Sequence, residues 1–96
     1  MPGKVKGKVV SIGESGNLIT DIPADQLTDA PRDERLTVSC DEHVTQGLFG
    51  LDHGEPPMTL LALVGASGCL ELCIVEDSAA IMLGVRPGET VVVEWI

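Results

Sequence analysis

Residues 58–75 read MTLLALVGASGCLELCIV and contain two consecutive segments with the character of strands. The first part, residues 58–64, is almost entirely apolar, and a run this short is compatible with a buried strand or with a buried stretch of helix. Pro57 and Gly65 at its ends favour a central strand. Residues 69–75 alternate between a purely apolar face and a mixed face, which is typical of a strand. We therefore predict two neighbouring strands joined by a turn.

Strand-like segments continue on both sides of this region. Residues 13–17 are a cluster of turn residues between two β-branched segments and predict a hairpin. Residues 35–40 alternate cleanly between apolar and polar side chains, as a half-buried strand does. A weaker strand at 44–51 is interrupted by two glycines. The remaining predicted strands are 4–12, 18–22 and 90–96.

A short helix is predicted near the C-terminus. Asp77 or Ser78 can cap residues 79–83, and Gly84 can adopt the left-handed conformation that ends many helices. Residues 23–35 are polar and contain two prolines. They predict a surface connection with at most one helical turn.

Six or seven strands with one short helix predict an all-β fold, either a small barrel or a sandwich. We favour a small barrel, because closing the sheet protects its edge strands. A chain of 96 residues can build one hydrophobic core but not two. Residues 1–96 are therefore predicted to form a single domain.

Composition excludes several classes of partner. Fifteen acidic and six basic residues give a formal net charge of -9, which repels nucleic acid and anionic lipid. Aromatic residues make up only 2% of the chain, too few for the stacking surfaces of single-strand binding proteins. The longest apolar tract, residues 58–68, is about half the roughly 20 residues that a spanning helix needs. We expect no membrane contact and a cytoplasmic location.

A zinc site is the first chemistry that the sequence suggests. Cys40 and His43, together with Cys69 and Cys73, have the residue types of a three-cysteine, one-histidine site. On one extended strand, however, Cys69 and Cys73 would lie roughly 13 Å apart, too far for one tetrahedral ion. We therefore expect no metal, and reduced, buried thiols instead.

Nucleophilic catalysis is the second chemistry to consider. Ser67 or a cysteine could pair with His43 or His53, but no Gly-x-Ser-x-Gly motif is present. Glu71, between two leucines, could act as an acid or base, or its side of the sheet could be wet or face a partner. We predict no catalytic residue in this chain.

Three segments in order resemble a known family. They contain Gly16-Asn17-Leu18-Ile19-Thr20, then Gly68-x-Leu70-Glu71, and then Ser78-Ala79-Ala80 followed by Leu83-Gly84-x-x-Pro87-Gly88. Over residues 8–22, 54–67 and 68–92 the chain resembles the C-terminal domain of the S-adenosylmethionine hydroxide adenosyltransferases, whose family includes fluorinating and chlorinating enzymes.

The resemblance implies a nucleoside-facing turn. In that family a larger N-terminal domain supplies the aspartates and most of the ribose contacts, and the C-terminal barrel closes over the nucleoside at a subunit interface. Gly16 and Asn17 match the turn whose amide contacts adenine, and Ser67 neighbours Ala66, where the family has a serine. Gly13 and Ser15 replace the family's aspartate and aromatic residue.

The resemblance and the composition together lead to one principal hypothesis and two alternatives. The principal hypothesis is a stand-alone, non-catalytic domain that self-associates or binds a partner, with a homo-oligomer, such as the trimer of its relatives, expected. The first alternative is the C-terminal half of a split adenosyltransferase that a separate N-terminal subunit completes. The second is a sensor that keeps adenosine binding. No cofactor is expected, and S-adenosylmethionine (SAM) or adenosine would be a ligand only.

Overall fold

The computed structural model describes residues 3–50, 54–65 and 67–96. Within these residues the chain forms seven strands, one short 3-10 helix (Ala24–Leu27) and one short α-helix, α1 (Ala79–Leu83). The strands are β1 (Gly3–Ile12), β2 (Leu18–Pro23), β3 (Leu36–Cys40), β4 (His43–Gln46), β5 (Leu60–Val64), β6 (Cys69–Ile74) and β7 (Thr90–Trp95).

All the strand pairs are antiparallel, and the hydrogen-bonded order is β4-β3-β7-β1-β2-β6-β5. The two ends of this order approach each other and nearly close the sheet into a barrel. Along the seam, the Thr45 hydroxyl donates to the Leu60 carbonyl at 3.1 Å, and the Phe49 amide donates to the Ala62 carbonyl at 2.8 Å. The predicted small all-β barrel with one short helix near the C-terminus is confirmed.

The core consists of the inward faces of the strands, as their alternation predicts. Leu18 of β2 lies opposite Leu72 of β6, and both are buried. Each such side chain contributes roughly 1.5–3 kcal/mol when it is fully removed from water. The strand residues of this core cluster are Val9, Leu18, Ile22, Leu36, Val38, Cys40, Ala62, Leu70, Leu72, Ile74, Val91 and Val93.

Helix α1 begins and ends where the sequence predicts. Of the two candidate caps, Ser78 is the one used, since its hydroxyl accepts from the Ile81 amide at 3.3 Å. Gly84 has φ 67°, and its amide donates to the Ala80 carbonyl at 3.1 Å. Among the described residues, no helix is long and apolar enough to cross a membrane.

Two strand predictions need correction. The strand predicted at 44–51 is regular only in β4, because Gly47 leaves the extended conformation with φ 88°. Beyond it Phe49 makes a single bridge to Leu63, and residue 51 lies outside the described residues. The prediction that 58–64 is a central strand is wrong, since β5 ends the hydrogen-bonded order. Its continuous apolar character reflects burial at the seam, where Leu61 and Leu63 are both covered.

Candidate functional site

The turn between β1 and β2 positions Asn17. The Gly13 amide donates to the Asn17 carbonyl and the Gly16 amide donates to the Gly13 carbonyl, both at 2.9 Å. Gly16 has φ 88°, and a Cβ atom there would overlap the side chain of Ser78. Glycine is therefore required on both conformational and steric grounds.

Helix α1 rests on this turn. The Ala80 amide donates to the Gly16 carbonyl at 2.9 Å, and Ala79 is buried in the core. At the other end of α1, Nε2 of His43 lies 2.9 Å from the Leu83 carbonyl. Since a carbonyl only accepts, Nε2 carries the proton. These contacts fix α1 on the β1–β2 turn at one end and on β4 at the other.

Glu71 of β6 lies beside the turn and is only 7% exposed. Its Oε1 accepts from Nδ2 of Asn17 at 3.3 Å, and its Oε2 accepts from the Ser67 hydroxyl at 2.8 Å. The Ser67 oxygen in turn accepts from the Cys69 amide at 3.3 Å. Burying a carboxylate is costly unless its oxygens are hydrogen-bonded, and here both have donors. We call these residues the Asn17–Glu71–Ser67 cluster.

Strand register explains why Asn17 reaches Glu71. The β2–β6 pairing places Ile19 opposite Glu71 and Leu18 opposite Leu72. Asn17 precedes Ile19 by two residues and therefore lies on the same face of the sheet, diagonal to Glu71. A one-residue shift of this register would point Asn17 to the opposite face.

Gly65 makes room for the buried carboxylate. A Cβ atom at this position would overlap the Glu71 carboxyl group and lie 2.6 Å from its Cδ. The Gly65 carbonyl also accepts from the Gly68 amide at 3.0 Å, which forms the turn that carries Ser67. Gly65 and Ser67 thus confine the carboxylate from the side of the β5–β6 connection.

A shallow groove of about 400 Å³ borders the cluster. Its character is acidic, because two exposed carboxylates line it and no basic side chain does. Burial raises the pKa of the Cys73 thiol, and the nearby Glu71 carboxylate raises it further. The lining residues are Ser15, Asn17, Cys73, Ile74, Glu76 and Asp77.

A larger groove, of about 810 Å³, lies elsewhere on the barrel, against Trp95 and Ile96 at the end of the chain. It is lined by residues of β1, β3, β4 and β7 and contains none of Gly16, Asn17 and Ser67. Of these three residues, Asn17 lines the groove beside the cluster.

Glu71 brings together two of the predicted site residues, Asn17 and Ser67, and Gly16 precedes Asn17 in the turn. From its position in the sequence, Glu71 could be an acid or base, or could lie on a side of the sheet that is wet or faces a partner; in the structure it is buried between Asn17 and Ser67. The sequence feature that could have indicated this burial is the position of Glu71 between two leucines of a strand, within the Gly68-x-Leu70-Glu71 motif. Ala66, also considered from the sequence, lies outside the described residues.

The residues considered for other chemistry are arranged differently. His43 contacts α1 through the Leu83 carbonyl, and His53 lies outside the described residues. Cys40 is buried, whereas Cys69 and Cys73 are half-buried, and all three are free thiols. Over residues 3–50, 54–65 and 67–96, no three His, Cys, Asp or Glu side chains are grouped so that they could hold a metal ion.

Fold and site define a small antiparallel barrel whose β1–β2 turn is joined to a buried carboxylate. The family model of the SAM hydroxide adenosyltransferase C-terminal domain matches residues 7–92, and the chain belongs to this family. A search of curated proteins finds no match.

Two solved structures are similar in fold. One is an uncharacterized conserved protein from Thermotoga maritima, with a TM-score of 0.77, 22% identity and 93% of this chain covered. The other is a conserved hypothetical protein from Thermus thermophilus, with a TM-score of 0.68, 23% identity and 90% of this chain covered. The chain spans about a third of each, 34% and 33% of their lengths.

Proposed function

We propose that this barrel is a non-catalytic interaction domain that self-associates or binds a protein partner through the surface that α1 forms. The observation that carries the proposal is the exposure of two adjacent apolar side chains on α1, Ile81 at 80% and Met82 at 49%. Its homo-oligomer would be the trimer that the family resemblance implies.

The surface around α1 supports this proposal. Single exposed apolar residues are normal, but neighbouring ones are typical of interaction sites. The strand that leads into the β1–β2 turn also exposes Val10 and Ile12. Because α1 is already held by Gly16 and His43, its side chains can be covered at little cost in backbone entropy.

Light scattering over a range of protein concentrations tests the proposal. We expect an oligomer, or a complex with an added N-terminal adenosyltransferase domain of a family member. The double substitution Ile81→Gln and Met82→Gln should weaken that association. Val44→Gln is the matched control, since Val44 is exposed on β4. A wild-type chain that stays monomeric, alone and in the mixture, contradicts the proposal.

Binding of adenosine or SAM at the β1–β2 turn is a second candidate function. Asn17 borders the acidic groove, and the bond to Glu71 uses only one of its two N–H donors. The carboxylates of Glu76 and Asp77 in the same groove would repel the carboxylate of SAM. Because SAM also carries a sulfonium and an ammonium cation, which the same carboxylates would attract, the charge of the groove does not rank the two ligands.

Thermal shift measurements test this second function. A ligand present at about one hundred times its Kd stabilises the folded state by about 2.7 kcal/mol. Adenosine should raise the wild-type Tm saturably, and Asn17→Ala should abolish the increase. Turnover of SAM after mixing with a separate N-terminal subunit would instead favour the C-terminal half of a split adenosyltransferase.

A further inference from the structure

We infer that Glu71 is a positioning residue: it fixes the orientation of the Asn17 side-chain amide and so decides which hydrogen-bonding groups the β1–β2 turn offers a ligand. The inference about orientation rests on the hydrogen bonds of the cluster. Its consequence for ligand choice rests also on the proposed nucleoside binding.

The donor and acceptor atoms of the two side chains determine the orientation of the Asn17 amide. A carboxylate has only acceptor atoms, whereas the two ends of an asparagine amide differ, one donating and one accepting. The contact between Asn17 and Glu71 at 3.3 Å therefore requires the nitrogen end of the amide to face Glu71. Rotation of the amide by 180° would place two oxygens against each other, which is repulsive.

The Glu71 carboxylate itself cannot turn away from Asn17. Its other oxygen accepts from the Ser67 hydroxyl at 2.8 Å, and that hydroxyl is oriented by the Cys69 amide, from which its oxygen accepts at 3.3 Å. Gly65 lies directly against the carboxyl group on the same side. Hydrogen-bond donors thus converge on the Glu71 carboxylate from two sides, from the Cys69 amide through the Ser67 hydroxyl and from the Asn17 amide.

The orientation of the Asn17 amide determines what a ligand in the groove would meet. With its nitrogen directed at Glu71, Asn17 offers the groove its amide oxygen and its remaining N–H. An asparagine amide in this state pairs with an adenine edge, which has an amino donor beside a ring-nitrogen acceptor. A 6-oxo purine has an acceptor where adenine has the amino group, so Glu71 would disfavour it through Asn17.

The sequence makes the test unusually direct. Asn17 is the only asparagine, and Gln26 and Gln46 are the only glutamines, so an NMR spectrum of the wild type contains three side-chain amide pairs. Both glutamines are exposed. In the wild type alone, we expect the Asn17 side-chain protons to exchange with solvent more slowly than those of either glutamine. Equal exchange rates for all three pairs would overturn the inference.

The substitution Glu71→Gln is the second test, because a glutamine amide can either accept from Asn17 or donate to it. We expect the Asn17 amide pair to shift and to exchange faster, whereas Glu94→Gln, the same change at an exposed position of β7, should leave it unaltered. Unchanged Asn17 signals in folded Glu71→Gln protein would show that Glu71 does not position the amide.

Calorimetry with adenosine and inosine tests the effect on ligand choice. We expect the wild type to prefer adenosine and Glu71→Gln to reduce the ratio of the two Kd values about tenfold, since a correct pair of this kind contributes about 1–3 kcal/mol of discrimination. A purely structural Glu71 would lower Tm and leave the ratio unchanged. If the wild type binds neither nucleoside, the proposed nucleoside function and this specificity role both fail, while the NMR measurements still decide the orientation.

Discussion

At the scale of single residues, the candidate site depends on one buried carboxylate and on the small residues that admit it. Glu71 is only 7% exposed, and the hydrogen bonds from Asn17 and Ser67 offset the cost of removing it from water. Gly65 and Gly16 have no side chain because Glu71 and Ser78 occupy the space where a Cβ atom would lie. These two glycines are therefore part of the site.

Gly65→Ala should destabilise the fold by about 1–3 kcal/mol, because the added methyl group overlaps the Glu71 carboxylate and the packing around it must shift. Urea unfolding followed by the fluorescence of Trp95 measures the change. Gly13→Ala is the matched control, since its Cβ would lie 3.4 Å from Ile19 Cδ1 and displace little. Equal stabilities of the two variants would contradict the packing argument.

The buried thiol of Cys40 should make the stability of the protein depend on pH. Burial raises the pKa of its thiol to about 11, with smaller contributions from Glu89 and Asp41. The unfolded chain therefore loses this proton at lower pH than the folded chain does, and stability falls as pH rises from about 8.5. The loss is complete once the pH passes the folded pKa.

We expect the Tm to fall less steeply between pH 8.5 and pH 11 in Cys40→Ala than in the wild type. Cys73, whose pKa is also raised, keeps part of the slope in both proteins. Parallel curves would indicate that Cys40 ionises in the folded and unfolded states alike.

At pH 8, alkylation should label the half-buried Cys69 and Cys73 before the buried Cys40.

At the scale of elements, α1 is the part whose existence depends most on its surroundings. Five residues are far too few for an isolated helix to be stable in water. The helix is stabilised instead by local contacts. These are the Ser78 cap, the left-handed Gly84 at its end, and the hydrogen bonds with Gly16 and His43. Because α1 also carries Ile81 and Met82, the proposed interaction surface depends on these small local contacts.

Ser78→Ala should destabilise the protein by about 1 kcal/mol, since the Ile81 amide loses its acceptor. Ser11→Ala, at an exposed position of β1, serves as the control and should be close to neutral. The comparison is made by chemical denaturation, with amide exchange at Ile81 and Met82 as a local measure. Identical behaviour of the two variants would exclude a stabilising role for the cap.

The strands were predictable from the sequence where one face is polar and the other apolar. β3 and β6 follow from alternation alone, because the period of two is a direct consequence of strand geometry. The position of β5 in the sheet was predicted wrongly, because a continuously apolar segment indicates burial but does not indicate which strands lie beside it. Gly47, with its positive φ, ended β4 earlier than its apolar residues suggested.

At the scale of the whole molecule, net charge and size together determine how salt concentration affects the stability of the fold. The formal charge is -9, and the molecule measures 35 × 29 × 24 Å. At about 10 mM salt the Debye length of about 30 Å is comparable with these dimensions, whereas at 100 mM it is only about 10 Å. Repulsion between carboxylates on opposite sides is therefore felt only at low salt.

Raising NaCl from about 10 mM to about 100 mM should increase the Tm by a few degrees, as screening relieves this self-repulsion. Differential scanning calorimetry measures the shift. The double variant Glu34→Gln and Glu42→Gln, at two exposed positions, should start from a higher Tm at low salt and respond less. An unchanged or lower wild-type Tm at 100 mM would show that repulsion does not limit stability.

The all-β fold, the position of α1 and the resemblance that the family match confirms could all be read from the sequence, which left Asp77 and Ser78 as alternative caps and favoured a barrel over a sandwich. Each of these depends on residues close together in the chain, or on motifs whose order is read directly. Only the tertiary structure joined Asn17 to Glu71, which are 54 residues apart. That contact depends on the β2–β6 register and on Gly65 and Ser67 covering one face of β6, and alternation along a single strand specifies neither.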